Sequence, residues 1–234
     1  VPQRPSDPDA TLQQEARFGI AFLRRHGLRL ALLFAGVMLP LWVFAELADE
    51  VRDAEAFPFD QPLLLFARDM ARAGFDRLFL FFSAIGYRYG VVPFDLLLVL
   101  ALAIARRFRE GLFAAIALGG SALLNVATKQ FFARQRPGLW DSIAPETTYS
   151  FPSGHAMGSA TLACVLIMLA WRTRWRWPVI VAMAVFVPMV GLSRIYLGVH
   201  YPSDILAGWA AALVWVIGCY ALVFYGHLRP WRNR

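Results

Sequence analysis

The chain has 234 residues, of which 59% are hydrophobic and 17% charged, and its mean hydropathy is +0.51. Soluble domains average roughly 45–50% apolar and about 25% charged, so an ordinary water-soluble globule is excluded and lipid is the expected solvent. The net charge of +7 would suit nucleic acid in a soluble protein, but here the cations lie between long apolar runs, which membrane topology explains better than DNA binding.

Residues 1–27 read as a polar, cytoplasmic or interfacial tail. The run 28–48 follows Arg17, Arg24 and Arg25, includes Arg29, and has about the 20 residues a helix needs to cross a bilayer. It exceeds a secretory h-region of about 7–15 residues, and no small-residue cleavage site follows, so it is expected to be a retained first span. Residues 49–77 are more polar. The stretch PLLLFARDMARAGFDRLFLFF mixes polar and apolar residues at helical spacing, which predicts an extra helix lying along the interface between spans one and two. Beyond the first glycine of a break at Gly86 and Gly90, a second span is expected over 87–105, with Asp95 an unexplained carboxylate inside it. The third, over 112–132, is rich in Gly and Ala that permit close helix approach. The fourth covers 154–171, the fifth 177–195 and the sixth 203–225. The expected fold is therefore an all-α, integral membrane bundle of six transmembrane helices plus the interfacial one. It forms a single domain over 28–227, with a basic tail at 228–234 and no internal repeat.

Loop cations set the orientation. The two tails, Arg29 at the head of the first span, and the loops at 106–111 and 172–176 hold 14 of the 23 cations and few acids. An even number of spans puts them on one side, so both termini are expected in the cytoplasm. The WRTRWRW segment reads as an interfacial anchor of indoles and guanidiniums. Cys164 and Cys219 lie inside apolar runs without metal-ligand spacing and read as small buried hydrophobes. His26 and His227, near the expected cytoplasmic ends of spans, read as structural.

On the opposite face three polar clusters meet. The first, KQFFARQRP at 129–137, holds the chain's one lysine, Lys129, with Arg134 and Arg136; guanidinium forks and an ammonium suit a phosphate. The second, Pro152, Ser153, Gly154 and His155, opens the fourth span. A helix N-terminus presents amides and a positive dipole end to an anion, Gly154 lets an oxyanion approach the backbone, and His155 adds a proton transferable near neutral pH. The third is SRIYLGVHYPSD at 193–204, in which Arg194 supplies another fork. His200 and Asp204 are four apart across Pro202; if the turn joins them, the carboxylate fixes one ring nitrogen and leaves the other nucleophilic. Such a crowd of cations repels a divalent ion and lacks the carboxylates magnesium prefers, so no metal is expected.

These three stretches resemble the signature motifs of the type 2 phosphatidic acid phosphatase (PAP2) superfamily, K-x6-R-P, P-S-G-H and S-R-x5-H-x3-D. Here they read Lys129-x6-Arg136-Pro137, Pro152-Ser153-Gly154-His155 and Ser193-Arg194-x5-His200-x3-Asp204, complete and in order. The resemblance implies His200 as nucleophile through a phosphohistidine, Asp204 as its activator and His155 as the acid on the leaving oxygen. Lys129, Arg136, Ser153, Gly154 and Arg194 would hold the phosphoryl oxygens, with no metal and no cofactor. It further implies a bacterial inner-membrane enzyme whose site faces the periplasm and whose partners are the bilayer and a lipid phosphate or diphosphate: undecaprenyl diphosphate, phosphatidate or phosphatidylglycerol phosphate. Other readings are a lipid A phosphatase or phosphotransferase, and a non-catalytic phospholipid binder or transporter. The superfamily's soluble vanadate-dependent haloperoxidases are a poor fit for six apolar spans.

Overall fold

In the computed structural model, residues 24–28, 31 and 34–224 are described; the expectations for His227 and for most of both tails fall outside them. The described residues are helical, without strands. A π-helical turn, Phe34–Met38, runs into α1 (Leu39–Arg52). Then come α2 (Asp60–Asp69), α3 (Ala73–Ile85), α4 (Val91–Ile104), α5 (Phe108–Phe132), α6 (Gly154–Ala170), α7 (Arg176–Tyr196) and α8 (Pro202–Phe224). Three of them, α5, α7 and α8, are long and apolar enough to cross a membrane, and α4 and α6 are shorter apolar helices. At 1.5 Å per residue the 25 residues of α5 reach about 37 Å, enough for a hydrocarbon layer of about 30 Å. Large apolar side chains point outward along these helices, among them Leu96, Leu123 and Leu222, each about 70% exposed or more. Such a surface suits lipid and would be unfavourable in water.

The single interfacial helix expected between the first two spans is instead two helices. Met70 ends α2, and Arg72 is extended (φ −160°, ψ 153°) before α3 begins. Tyr196 of α7 pins this break: its hydroxyl accepts from the Arg72 amide at 3.2 Å and donates to Asp76 at 2.6 Å. Phe79 packs on the same ring at 4.3 Å, which draws α3 onto α7. The turn from Gly86 to Gly90 also delays α4 to Val91.

Helices α6 and α8 form the centre. Their contact is close because Gly208 has no side chain: a Cβ there would stand 2.9 Å from the Ser153 carbonyl oxygen. That approach presses the start of α8 against the start of α6. Around them Phe113, Ala114 and Ala117 of α5, Val165 of α6 and Val216 of α8 are buried together. Trp215 of α8 lies over Gly120 and donates its indole N–H to the Ala117 carbonyl at 2.9 Å. Ser121 and Thr161 share a hydrogen bond of 2.8 Å between α5 and α6, the kind of polar contact that holds helices together where lipid offers no hydrophobic driving force. Cys219 is buried and Cys164 half-buried, neither in a disulfide.

Candidate active site

The end of α5 with the loop that follows, the start of α6, and the α7–α8 turn come together at one end of the bundle. The α7–α8 turn works through Gly198. Its φ of +68° lies in the left-handed region, and a Cβ there would meet the Trp140 ring at 2.5 Å. The reversal carries His200 back into the protein, where it is fully buried. Pro202 then opens α8, and Asp204 falls in its first turn.

His200 and Asp204 meet as expected, with Nδ1 and Oδ2 3.3 Å apart. On the other side of the ring, Arg136 Nη1 lies 3.1 Å from Nε2. Arginine only donates, so Nε2 carries the lone pair and Nδ1 the proton that faces Asp204. The tautomer is thus set from both sides. Burial, and after it the charges of Arg136, Arg194 and Lys129, holds the His200 imidazole well below its usual range, so the ring is neutral and its lone pair available.

Asp204 is completely buried and fully bonded. Its Oδ2 accepts from the Ser150 hydroxyl and from the Tyr201 amide at 2.9 Å, and its Oδ1 accepts from Arg134 Nη1 at 2.5 Å. Arg134 in turn donates through Nη2 to Asp60 of α2 at 2.9 Å. Asp60 also takes the Ser203 amide at 2.8 Å and the Ser203 hydroxyl at 2.5 Å, placing a carboxylate at the N-terminus of α8, where the helix dipole favours it. A chain of alternating partners therefore runs from His200 through Asp204 and Arg134 to Asp60.

The start of α6 is capped by Ser153, whose side chain accepts from the Ala156 amide at 3.4 Å and whose own amide donates to the Asp204 carbonyl at 3.1 Å. Asn125 of α5 holds the segment by donating to the Pro152 carbonyl at 3.1 Å, and its Oδ1 sits where a Cβ on Gly154 would come to 2.9 Å. The ring of His155 packs on Tyr87, with centroids 5.1 Å apart.

The cations converge on one carboxylate, Glu146. Arg136 Nη2 donates to its Oε2 at 2.8 Å and Arg194 Nη2 donates to its Oε1. His155 Nδ1 stands 3.9 Å from the same Oε1, beyond hydrogen-bond reach. Glu146 therefore occupies an oxyanion site between two guanidiniums and a histidine. Arg136 is held further by the Thr148 and Val199 carbonyls, each at 2.6 Å, and Arg194 by the Ser83 hydroxyl. Lys129 departs from the simplest expectation. It is buried, and its ammonium donates to the Tyr149 and Ser150 carbonyls, so its direct role here is to shape the loop that carries Ser150.

All eight residues expected at the site thus lie in its three converging segments. Sequence reasoning missed Glu146, Ser150, Ser83, Asn125 and Asp60, and gave Arg134 no particular partner. One signal could have found Glu146: clustered cations need a counter-anion, and the loop 133–153 has only two acids, Asp141 and Glu146. Among the described residues no group of three or more His, Cys, Asp or Glu is arranged to hold a metal.

Comparison with known proteins fits this arrangement. Residues 110–227 match the PAP2 superfamily, and the chain belongs to it. It is 32% identical to Bacillus subtilis phosphatidylglycerophosphatase B over 114 residues, 47% of this chain and 56% of that protein. It is 33% identical to an undecaprenyl-diphosphatase of Sulfolobus acidocaldarius over 143 residues, 58% of this chain and 65% of that protein. The match thus spans about half to two thirds of these relatives. The fold resembles that of a transmembrane PAP2 type phosphatidylglycerolphosphate phosphatase from Bacillus subtilis, with a TM-score of 0.67 at 23% identity, covering 78% of this chain and 94% of that one. It also resembles Aquifex aeolicus LpxE, with a TM-score of 0.58 at 24% identity over 70% of this chain and 95% of that one.

Proposed function

We propose that the protein hydrolyses a lipid phosphate or diphosphate through a phosphohistidine on His200. The observation that carries this reading is the tautomer of His200: Nδ1 lies on Asp204, and the Nε2 lone pair points to the arginines that hold Glu146. The phosphate of the substrate replaces Glu146 between Arg136 and Arg194 and draws the Arg136 fork off Nε2. The Nε2 lone pair then forms a bond to phosphorus as the ester or anhydride P–O bond breaks. His155 gives its proton to the leaving oxygen; a phosphate dianion beside the ring favours the protonated imidazole that this step needs. Asp204 stabilises the positive charge growing on His200. Water then attacks phosphorus, its proton passes to His155, and the N–P bond breaks to release inorganic phosphate and restore Nε2. Arg136, Arg194, the Ser153 hydroxyl and the Gly154 amide supply donors to the charge on the phosphoryl oxygens, and Lys129 adds positive charge from behind the loop. Such preorganised donors are usually the largest catalytic contribution. No step is assigned to a metal or cofactor.

In this reading the chain crosses the bilayer six times, with α1 and α4 to α8 as spans and α2 and α3 covering the site at one face. The loop-cation pattern supports cytoplasmic termini and a site on the periplasmic side of a bacterial inner membrane. The names of the relatives support substrates such as phosphatidylglycerol phosphate and undecaprenyl diphosphate. The test is phosphate release by purified protein in detergent, with EDTA, from a panel of lipid mono- and diphosphates. Release that His200→Ala abolishes is expected; release undiminished in that variant would overturn the reading.

A further inference from the structure

The end of the bundle away from the candidate site holds a groove that the chemistry above does not use. It lies between the start of α5, the end of α6 and the last turns of α8, with a volume of about 710 Å³. Small-ligand sites span roughly 300–1,000 Å³, so it has room for a phospholipid headgroup and the upper part of its chains. Sixteen residues of helix separate Phe113 in its wall from Lys129, and sixteen separate Tyr220 from Asp204. At 1.5 Å per residue the groove is about 24 Å from the catalytic cluster, close to the thickness of a hydrocarbon layer.

Its lining is layered. Arg107, Arg172 and Trp171 stand at the rim. Phe113 lies five residues into α5 and Ile167 three residues before the end of α6, about 5–8 Å deeper. There Phe113, Tyr220 and Phe224 pack together, with ring centroids 4.8 to 5.7 Å apart. Trp171 is 55% exposed and Arg176 lies over its ring at 5.7 Å, the setting of an indole at headgroup level. Glu110 is the acid of the lining and pairs with Arg107 at 3.0 Å, so with Arg172 the lining is net positive. The flanking loops strengthen that field: 106–111 holds three arginines and one glutamate, and 172–176 three arginines and no acid.

We propose that this groove binds one anionic phospholipid from the leaflet opposite the candidate site. Its phosphate sits between Arg107 and Arg172, and its acyl chains run along Ile167, Phe113 and Phe224. Cations at phosphate depth above an apolar wall match the polarity profile of such a lipid, and basic pockets between membrane helices select anionic headgroups. A zwitterionic headgroup brings its own cation to the rim and fits less well. The chain's own segment 225–234 carries three arginines and no acidic side chain, so like charge opposes it as the occupant. The proposal does not depend on the reaction at His200.

The test is native mass spectrometry of the full chain in detergent, titrated with dioleoylphosphatidylglycerol or dioleoylphosphatidylcholine. One phosphatidylglycerol should bind about 10-fold more tightly than phosphatidylcholine, the range of a charge-assisted hydrogen bond. Arg172→Gln and Arg107→Gln should each bring that ratio towards one; either decides the matter if the other does not fold. Arg174→Gln, on the same loop but outside the groove, and Arg194→Gln, in the candidate site, should leave the ratio unchanged. No preference in the full chain would overturn the proposal. So would an equal loss in Arg174→Gln, which would mark a diffuse basic belt, or a loss confined to Arg194→Gln, which would place the lipid in the catalytic cradle. A preference that emerges only after removal of 225–234 would assign the groove to that segment and overturn it as well.

Discussion

Asp60 offers the sharpest test of the charge chain behind the nucleophile, because it lies outside every motif. Its carboxylate is buried and takes three strong hydrogen bonds besides touching no catalytic atom: from Arg134 at 2.9 Å and from the amide and hydroxyl of Ser203 at 2.8 and 2.5 Å. Asp60→Ala leaves the Arg134 guanidinium, itself only 14% exposed, with Asp204 as its one carboxylate partner. Breaking a buried pair on one side costs about 3–5 kcal/mol, so the variant should unfold at clearly lower temperature or denaturant concentration. Arg134 would also bind Asp204 more tightly and weaken its hold on the His200 Nδ1 proton. The nucleophile loses basicity while the oxyanion cradle is untouched, so kcat should fall about 10-fold or more with KM little changed. Asp60→Asn keeps acceptors for Ser203 but not the charge, and should recover part of the stability and less of kcat. The assays are thermal unfolding in detergent and steady-state phosphate release. Stability and kcat both unchanged in Asp60→Ala would refute the reasoning.

Glu146→Gln removes the resident anion from the cradle; on a His200→Ala background, calorimetry should show inorganic phosphate binding about 10-fold more tightly, and weaker binding would count against Glu146 as its competitor. Because burial and the nearby cations keep His200 neutral, the acid limb of kcat/KM should lie well below pH 6.5, with activity persisting as the pH falls through that value. Lys129→Met removes one of those cations and should move the limb upward; a limb that stays in place would contradict the assigned cause. Gly198→Ala should cost at least about 1 kcal/mol in chemical denaturation, since its φ of +68° disfavours a Cβ and Trp140 fills the space.

Much of this architecture was legible in the sequence. Apolar run lengths mark α5, α7 and α8, and three motifs locate their meeting point. The break between α2 and α3 was not legible, because Tyr196, more than a hundred residues away, fixes it through Arg72 and Asp76. The same limit hides Asp60, whose partners Arg134 and Ser203 are 74 and 143 residues distant. Ion pairs across helices leave no periodicity in the chain. Lys129 shows a subtler limit: its motif marks it for the site, but only the packing of α5 against the loop places its ammonium on backbone carbonyls.

The central claim is covalent catalysis on one atom of one residue. Its most direct test is to mix the enzyme with a lipid carrying a ³²P-labelled terminal phosphate, quench in alkali within a turnover, and map the label by mass spectrometry. The account predicts label on Nε2 of His200 and none in His200→Ala. Label on Nδ1, on another residue, or absent during rapid turnover would contradict it.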